Sequence, residues 1–153
     1  MTGKPTMLKT PIVMTIAGSD SGGGAGIAAD LKTFAAFGVH GTCAITSVTA
    51  QNTKGVLKAF DLAPEAVASQ IEAVCTDMDI KWAKTGMLAS SEIVKEVAKQ
   101  VKKYRLSPVL DPVMAAEAGG DLLRKEALSA LIEELLPLCK VTTPNASEAG
   151  ALA

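Results

Sequence analysis

Aromatic side chains are scarce in this 153-residue chain: they make up 3% of it, scattered at Phe34, Phe37, Phe60, Trp82 and Tyr104. A surface that stacks bases in the manner of single-strand-binding proteins lacks its material. Charge of one sign is lacking too. Fifteen Lys and Arg stand against sixteen Asp and Glu, a formal net charge of -1, so nothing draws the whole molecule to nucleic acid or to an anionic membrane, and any anion must be held locally. The three cysteines, Cys43, Cys75 and Cys139, are far apart, with no CxxC and no Cys/His pair. Neither a disulfide framework nor a zinc site is encoded, a reducing cytoplasm fits best, and each thiol is expected on a buried face as a small hydrophobe. No apolar run approaches the length of a membrane span, and residues 12–17 are too short for a signal core, so a soluble, untargeted protein is expected.

What the chain does have is apolar bulk. Hydrophobic residues are 48% against 20% charged, which excludes disorder and, at this length, builds one core, so residues 1–153 read as one domain. Residues 11–17 are β-branched and apolar and run into Gly18, a buried strand followed by a glycine-rich loop over 18–26. Ile27, Leu31, Phe34 and Ala35 then recur at helical spacing up to Gly38. A second β-rich run covers 42–49, a polar turn 50–55, and an extra short strand 56–60. Pro64 opens a second helix with Ala66, Val67, Ile71, Val74 and Cys75 on its buried stripe. The rest follows the same alternation: a strand over 80–85, a capped amphipathic helix from Ser91, a strand over 108–110, a loop over 115–120, a helix over 126–136 ended by Pro137, a strand over 140–143, and a helix opening at Ser147. Strands alternating with helices predict βαβ crossovers and a mostly parallel sheet covered on both faces, the α/β class. Only six residues follow Ser147, too few for a layer over the last strand, so the chain is expected to be cut or to be finished by a partner chain.

Ligands of open parallel sheets bind beyond the carboxyl ends of the strands, and the unusual residues fall there in five loops. The glycine loop lets a backbone approach a ligand closely, and its amides could hold an anion or a polar ring. It contains no GxxxxGK[ST]. Gly24-Ala-Gly26-Ile-Ala-Ala29 matches the relaxed dinucleotide pattern, but no Asp or Glu occurs between Asp30 and Asp61 to bind a ribose. A tight strand-to-helix connection without a ligand is the plainer alternative. Asp30 suits either ligand contact or the dipole of its own helix, and Gln51 either the edge of a heteroaromatic amine or a turn. Met87 suits a ring face or a core gap. Asp111, Asn145 and Glu148 could sit beside Mg²⁺ and a polyphosphate, or serve only as turn and helix-start residues. His40, the single histidine, falls at the opposite rim and reads as a turn residue.

Thr15-Ile-Ala-Gly-Ser-Asp-Ser-Gly-Gly-Gly-Ala-Gly-Ile-Ala-Ala-Asp-Leu-Lys-Thr-Phe34 with Ser47-Val-Thr-Ala-Gln-Asn-Thr-Lys-Gly-Val56, then Lys84-Thr-Gly-Met-Leu88, Val109-Leu-Asp-Pro-Val-Met114 and Thr143-Pro-Asn-Ala-Ser-Glu-Ala149, resembles the hydroxymethylpyrimidine/phosphomethylpyrimidine kinase family in order and spacing. The resemblance implies a ribokinase-like three-layer α/β/α fold, of which this chain is the N-terminal part with the C-terminal strands and helices missing. It also implies a pyrimidine substrate of thiamine biosynthesis, ATP and Mg²⁺ as cofactors, no nucleic-acid or membrane partner, and a homodimer. By matching motif, Asp30, Gln51, Met87 and Val113 would contact the pyrimidine, while Asp111, Asn145 and Glu148 would lie near ATP, with Asp111 and Glu148 toward the metal. The family's Gly-Thr-Gly-Cys loop, which supplies the anion hole and the catalytic base, is absent. No catalytic residue is therefore assigned, and a non-catalytic pyrimidine-binding module, or a half-enzyme needing a second chain, stands beside the kinase.

Overall fold

The computed structural model describes residues 10–114 and 125–153; the expected loop over 115–120 lies outside them. Five strands form a parallel sheet in the order β2-β1-β5-β6-β7: β1 (Ile12–Ala17), β2 (His40–Ile45), β5 (Trp82–Thr85), β6 (Ser107–Leu110) and β7 (Val141–Thr142). Two more, β3 (Ser47–Asn52) and β4 (Gly55–Asp61), make a separate antiparallel hairpin. Helix α1 (Gly26–Ala36) packs on β1 and β2, while α2 (Pro64–Cys75), α3 (Ser91–Tyr104) and α4 (Lys125–Ala130) belong to the core on the other face. The last helix, α5 (Ala146–Leu152), follows β7.

Strand alternation divides the sheet cleanly. Met14, Ile16, Ala44, Ala83 and Leu110 are buried and meet Val67 and Ile71 of α2, Ile93, Val94, Val97 and Val101 of α3, and Leu131 and Leu135 beyond α4. Thr15, Lys84, Val109 and Val141 stand in register on the opposite face, the one on which Thr15 hydrogen-bonds to α1. There Trp82 and Val141 are 51% and 53% exposed, because α1 packs mainly on β1 and β2.

Several helix ends follow local chemistry. Pro64 occupies the first turn of α2, where a missing N–H costs nothing. Ser90, one residue before the expected cap, accepts from Ile93 N and starts α3, which ends on Lys102 and Lys103 where cations favour the helix dipole. Against β2, α1 lies close: a Cβ on Gly41 would stand 2.7 Å from Leu31 Cδ2 and 2.9 Å from Phe34 Cδ2.

Three expectations need correction. The run over 42–49 is two strands, parted at Thr46, whose N–H donates to Ala17 O and whose hydroxyl donates to Met87 O; a long-range tether bends the chain where the local sequence has no breaker. The helix over 126–136 is α-helical only to Ala130, then widens to a π turn (Leu131–Leu135) and tightens to a 3₁₀ turn (Leu136–Leu138) around Pro137, which has no N–H to continue the ladder. The cysteines are half-buried rather than buried, and Ala35 and Ala66 face solvent.

Two consequences are measurable. Gly26 and Gly38 both have positive φ, +55° and +70°, yet a Cβ on Gly26 would stand 2.3 Å from Gly18 O while one on Gly38 meets nothing within 4 Å. Urea denaturation is expected to show Gly38→Ala costing about 1–2 kcal/mol, the left-handed penalty alone, and Gly26→Ala costing clearly more; equal losses would refute the clash. Burial pushes the Cys139 thiol up to about 11. At pH 8 roughly one Cys139 in a thousand is then thiolate, so mass spectrometry should find its alkylation slow in the folded chain, fast in urea, and rising about tenfold per pH unit toward 11. Equal rates in the folded and unfolded chain would contradict that burial.

Candidate functional site

The strand order reverses at β1 and β5: the connection after β1 leads to β2 on one side, and that after β5 leads to β6 on the other. Such a switch point opens a crevice beyond the carboxyl ends of the two strands. The connection after β1 is the glycine loop, and its internal bonding decides what it offers.

Asp20, 9% exposed, turns its carboxylate into the loop. Its Oδ1 accepts from Gly22 N at 2.8 Å, and its Oδ2 accepts from Gly24 N at 2.9 Å and from Ala25 N at 2.8 Å. Gly23 N donates to Asp20 O at 3.0 Å, and Ile27 N, at the helix start, donates to Gly18 O at 3.0 Å. Lys32 Nζ closes the outside by donating to Gly23 O at 2.7 Å. Three of the amides that could have held an anion or a polar ring are therefore filled by the chain's own carboxylate, and a phosphate would meet a like charge there. A dinucleotide pyrophosphate has no cradle in this loop.

Around the loop the hairpin is laced on through hydroxyls. Ser19 N donates to Ser47 O and Ser19 Oγ accepts from Thr49 N, while Thr49 Oγ1 donates to Ser19 O at 2.7 Å and lies 3.2 Å from Gln51 Oε1. Ser21 Oγ donates to Gln51 O and accepts from Gln51 N; Ser47 Oγ donates to Asp61. Gln51 thus sits on β3 of the hairpin, not in a loop after a sheet strand, and its side-chain NH₂ has no hydrogen-bond partner among the described residues. On the other side Met87, 9% exposed, lies against Gly18, where a Cβ would stand 3.2 Å from its Sδ.

Asp30 belongs to a second network. Its Oδ2 accepts from Thr15 Oγ1 at 2.6 Å and from Lys84 Nζ at 3.2 Å, and the same ammonium lies 3.2 Å from Asp111 Oδ2. The three side chains are 17%, 23% and 34% exposed for Asp30, Lys84 and Asp111. Asp111 N donates to Thr85 O, and Val113 N folds back on Asp111 O, which places half-buried Val113 just past the β6 end. Asn145 and Glu148 follow β7, just past which Thr143 N donates to Leu110 O. Their polar groups meet each other in a capping box: Glu148 N donates to Asn145 Oδ1 at 3.0 Å, and Asn145 N donates to Glu148 Oε2 at 2.9 Å. Glu148, 9% exposed, keeps at most its second oxygen for a ligand. Among the described residues no three His, Cys, Asp or Glu gather as a metal cage, and no helix is long and apolar enough to cross a membrane.

Reading the sequence alone did not single out Asp20, Thr15 or Lys84. The signals were there: an Asp directly ahead of a glycine run favours an Asx-type turn, and one lysine interrupts a short buried strand. Two carboxylates flanking one ammonium leave a net negative charge past β5 and β6, which favours a cation beside Asp111; Mg²⁺ needs only one or two carboxylates when phosphates and water complete its shell. Asp111 fits that use and Glu148 fits it with one oxygen.

Comparison with known proteins agrees in extent and order. A family model described as phosphomethylpyrimidine kinase matches residues 20–153. A hydroxymethylpyrimidine/phosphomethylpyrimidine kinase of Rhizobium meliloti is 51% identical over 143 residues, 94% of this chain and 54% of the relative. The crystal structure of a phosphomethylpyrimidine kinase from Clostridium difficile superposes with a TM-score of 0.88 at 48% identity, over 94% of this chain and 63% of that one. A pyridoxal kinase from Staphylococcus aureus, solved in complex with AMP-PCP and pyridoxal, gives a TM-score of 0.82 at 34% identity, covering 94% and 51%. The chain spans about half the length of the curated relatives it matches.

Replacing the loop's internal anion tests this geometry. Asp20→Ala leaves three amides unpaired, and a stability loss of about 2–3 kcal/mol is expected, with hydrogen exchange at Gly22, Gly24 and Ala25 accelerated at least about tenfold. Unchanged protection at those amides would show that the carboxylate does not hold the loop.

Proposed function

Because the chain belongs to the phosphomethylpyrimidine kinase family, with its ribokinase-like fold, we propose that residues 1–153 are the N-terminal, pyrimidine-binding part of a kinase that transfers phosphate from ATP to hydroxymethylpyrimidine or its monophosphate in thiamine biosynthesis. The observation that carries this reading is the pairing of a satisfied glycine loop with two polar side chains at one switch point. A loop whose amides are already bonded to Asp20 makes a hydrogen-bond-satisfied wall for a flat ring rather than an anion cradle. An aminopyrimidine edge presents a ring nitrogen acceptor beside an amino donor. The Gln51 NH₂, without a partner among the described residues, matches the acceptor, and the Asp30 carboxylate at the rim matches the donor. Met87 and Val113 supply apolar cover.

The AMP-PCP in the Staphylococcus pyridoxal kinase supports ATP as phosphate donor. Asp111, with Glu148 contributing one oxygen, is the place for Mg²⁺, which when bound neutralises charge on the transferring phosphoryl group. Asn145 holds Glu148 through the capping box and so keeps that oxygen in place. The side chains described here bind and orient the ring. The groups that stabilise the transferring phosphoryl are not among these described side chains. A cytoplasmic homodimer completes the reading, on the family resemblance.

Calorimetric titration with hydroxymethylpyrimidine tests it directly. The chain is expected to bind the free pyrimidine, with Asp30→Asn and Gln51→Ala each weakening affinity by about tenfold, the loss of one good hydrogen bond, and with NADH giving no heat. Absence of binding, or wild-type affinity in both variants, would overturn the reading; pyridoxal binding in place of the pyrimidine would move the substrate to that ring. Binding without phosphate transfer from ATP would support the non-catalytic or half-enzyme form.

A further inference from the structure

Lys84 is the only charged residue in β1, β5, β6 and β7, and the proposed function gives it no task. It stands in register with Thr15 of β1 and Val109 of β6, half-buried, its ammonium 3.2 Å from Asp30 Oδ2 and 3.2 Å from Asp111 Oδ2. The backbone makes room for it: a Cβ on Gly86 would approach Nζ to 3.0 Å and the Ala17 Cβ to 3.0 Å. Asp30 is further fixed by Thr15 Oγ1 on the same oxygen. An ammonium withdrawn from water between two carboxylates of different elements is a poor device for stability, since a packed apolar side chain of similar length often does as well. It is a good device for geometry, because removing it sets two carboxylates free to repel each other and to turn.

We propose that Lys84 is a positioning residue that locks the ring-side carboxylate, Asp30, to the cation-side carboxylate, Asp111, so that the two halves of the site are energetically coupled through one ammonium. This rests on the pyrimidine reading for what the coupling serves, but the coupling itself exists without ligand. Two carboxylates that share a cation cannot be perturbed independently: neutralising Asp111 changes the pull on Lys84, which changes how tightly Asp30 is held. With a methionine at position 84 that route is gone, and Asp111 becomes irrelevant to the ring.

The experiment is a double-mutant cycle on the chain, read twice. Without ligand, the Lys84 ε-ammonium is expected to give a protected ¹⁵N–¹H signal, unlike exposed lysines, that shifts or broadens away in Asp30→Asn and also in Asp111→Asn. In titrations with hydroxymethylpyrimidine, Lys84→Met should weaken binding by about tenfold and Lys84→Arg should recover part of it. Asp111→Asn should cost about three- to fivefold with Lys84 present and nothing in the Lys84→Met background, the non-additivity of residues in one network. The double variant Lys84→Met/Asp111→Asn removes the uncompensated repulsion, so it keeps the cycle readable if Lys84→Met alone folds poorly. An ammonium signal that is unprotected, or blind to either aspartate, overturns the proposal, as do additive losses in the titrations. If the wild-type chain binds no pyrimidine, the functional reading fails, and the ligand-free ammonium signal still decides the role of Lys84.

Discussion

Asp20 takes three backbone N–H groups of the connection between β1 and α1 onto its two oxygens, and the shape of the rim depends on that arrangement. A glycine-rich connection has little conformational preference of its own, since each glycine loses more freedom on folding than any other residue. Something must hold it. Here the carboxylate holds it from inside, the Gly18 carbonyl accepts from Ile27 at the helix start, and the positive φ of Gly26 lets the chain pass within reach of that carbonyl. With the loop fixed, Ser19 and Ser21 stand where the β3 edge can bond to them, so the hairpin is positioned by the loop and Gln51 by the hairpin.

The same arrangement separates this loop from those that bind phosphate. A phosphate-binding connection leaves its amides open toward the ligand and places no acid within reach. In this chain the acid is part of the loop and the amides point at it. Whatever lies over Gly18 therefore meets backbone already satisfied, with Met87 against it, and polar recognition must come from the flanks, from Gln51 on the hairpin and Asp30 on the helix. Charge belongs to a different part of the rim, past β5 and β6, where Asp30, Lys84 and Asp111 meet. A wall with its amides satisfied beside a negative corner fits a heteroaromatic ring beside a cation.

Much of this was legible in the sequence, and the reasons differ by element. Helix α3 was plain because Ile93, Val94, Val97, Ala98 and Val101 repeat at helical spacing and all are buried, and α2 because Pro64 marks its first turn. The parting of β2 from β3 was not, because residues 42–49 read as one β run and the bend at Thr46 is imposed by Ala17 and Met87 from far along the chain. A rule about strand ends put Met87 near the rim, but it put Gln51 in a loop where the chain has the hairpin strand β3, and Asp30 came from the helix after the glycine loop. Their partners were not legible, since Thr15, Ser19, Ser21 and Thr49 are common residues whose hydroxyls acquire meaning only when strands distant in sequence become neighbours. Cys139 shows the reverse limit: a thiol read as a core residue is half-buried, packed under the turn that Pro137 forces.

Lys84 marks where stability and geometry part. Its strand reads Trp-Ala-Lys-Thr, and a parallel strand at the centre of a sheet is ordinarily apolar on both faces. Ala83 meets that rule toward α2 and α3. Lys84 breaks it toward α1, on a face that is covered over β1 and β2 and open over Trp82 and Val141. On a fully covered face the ammonium would face a large desolvation cost, and on a fully open one it would be screened and mobile. At the margin of α1 it is 23% exposed, covered enough to be held between Asp30 and Asp111 and still within reach of water. The half-covered face is thus what makes a rigid ionic bridge tolerable at the switch point, and it is the reason the Lys84 corner and the glycine-loop wall can share one rim.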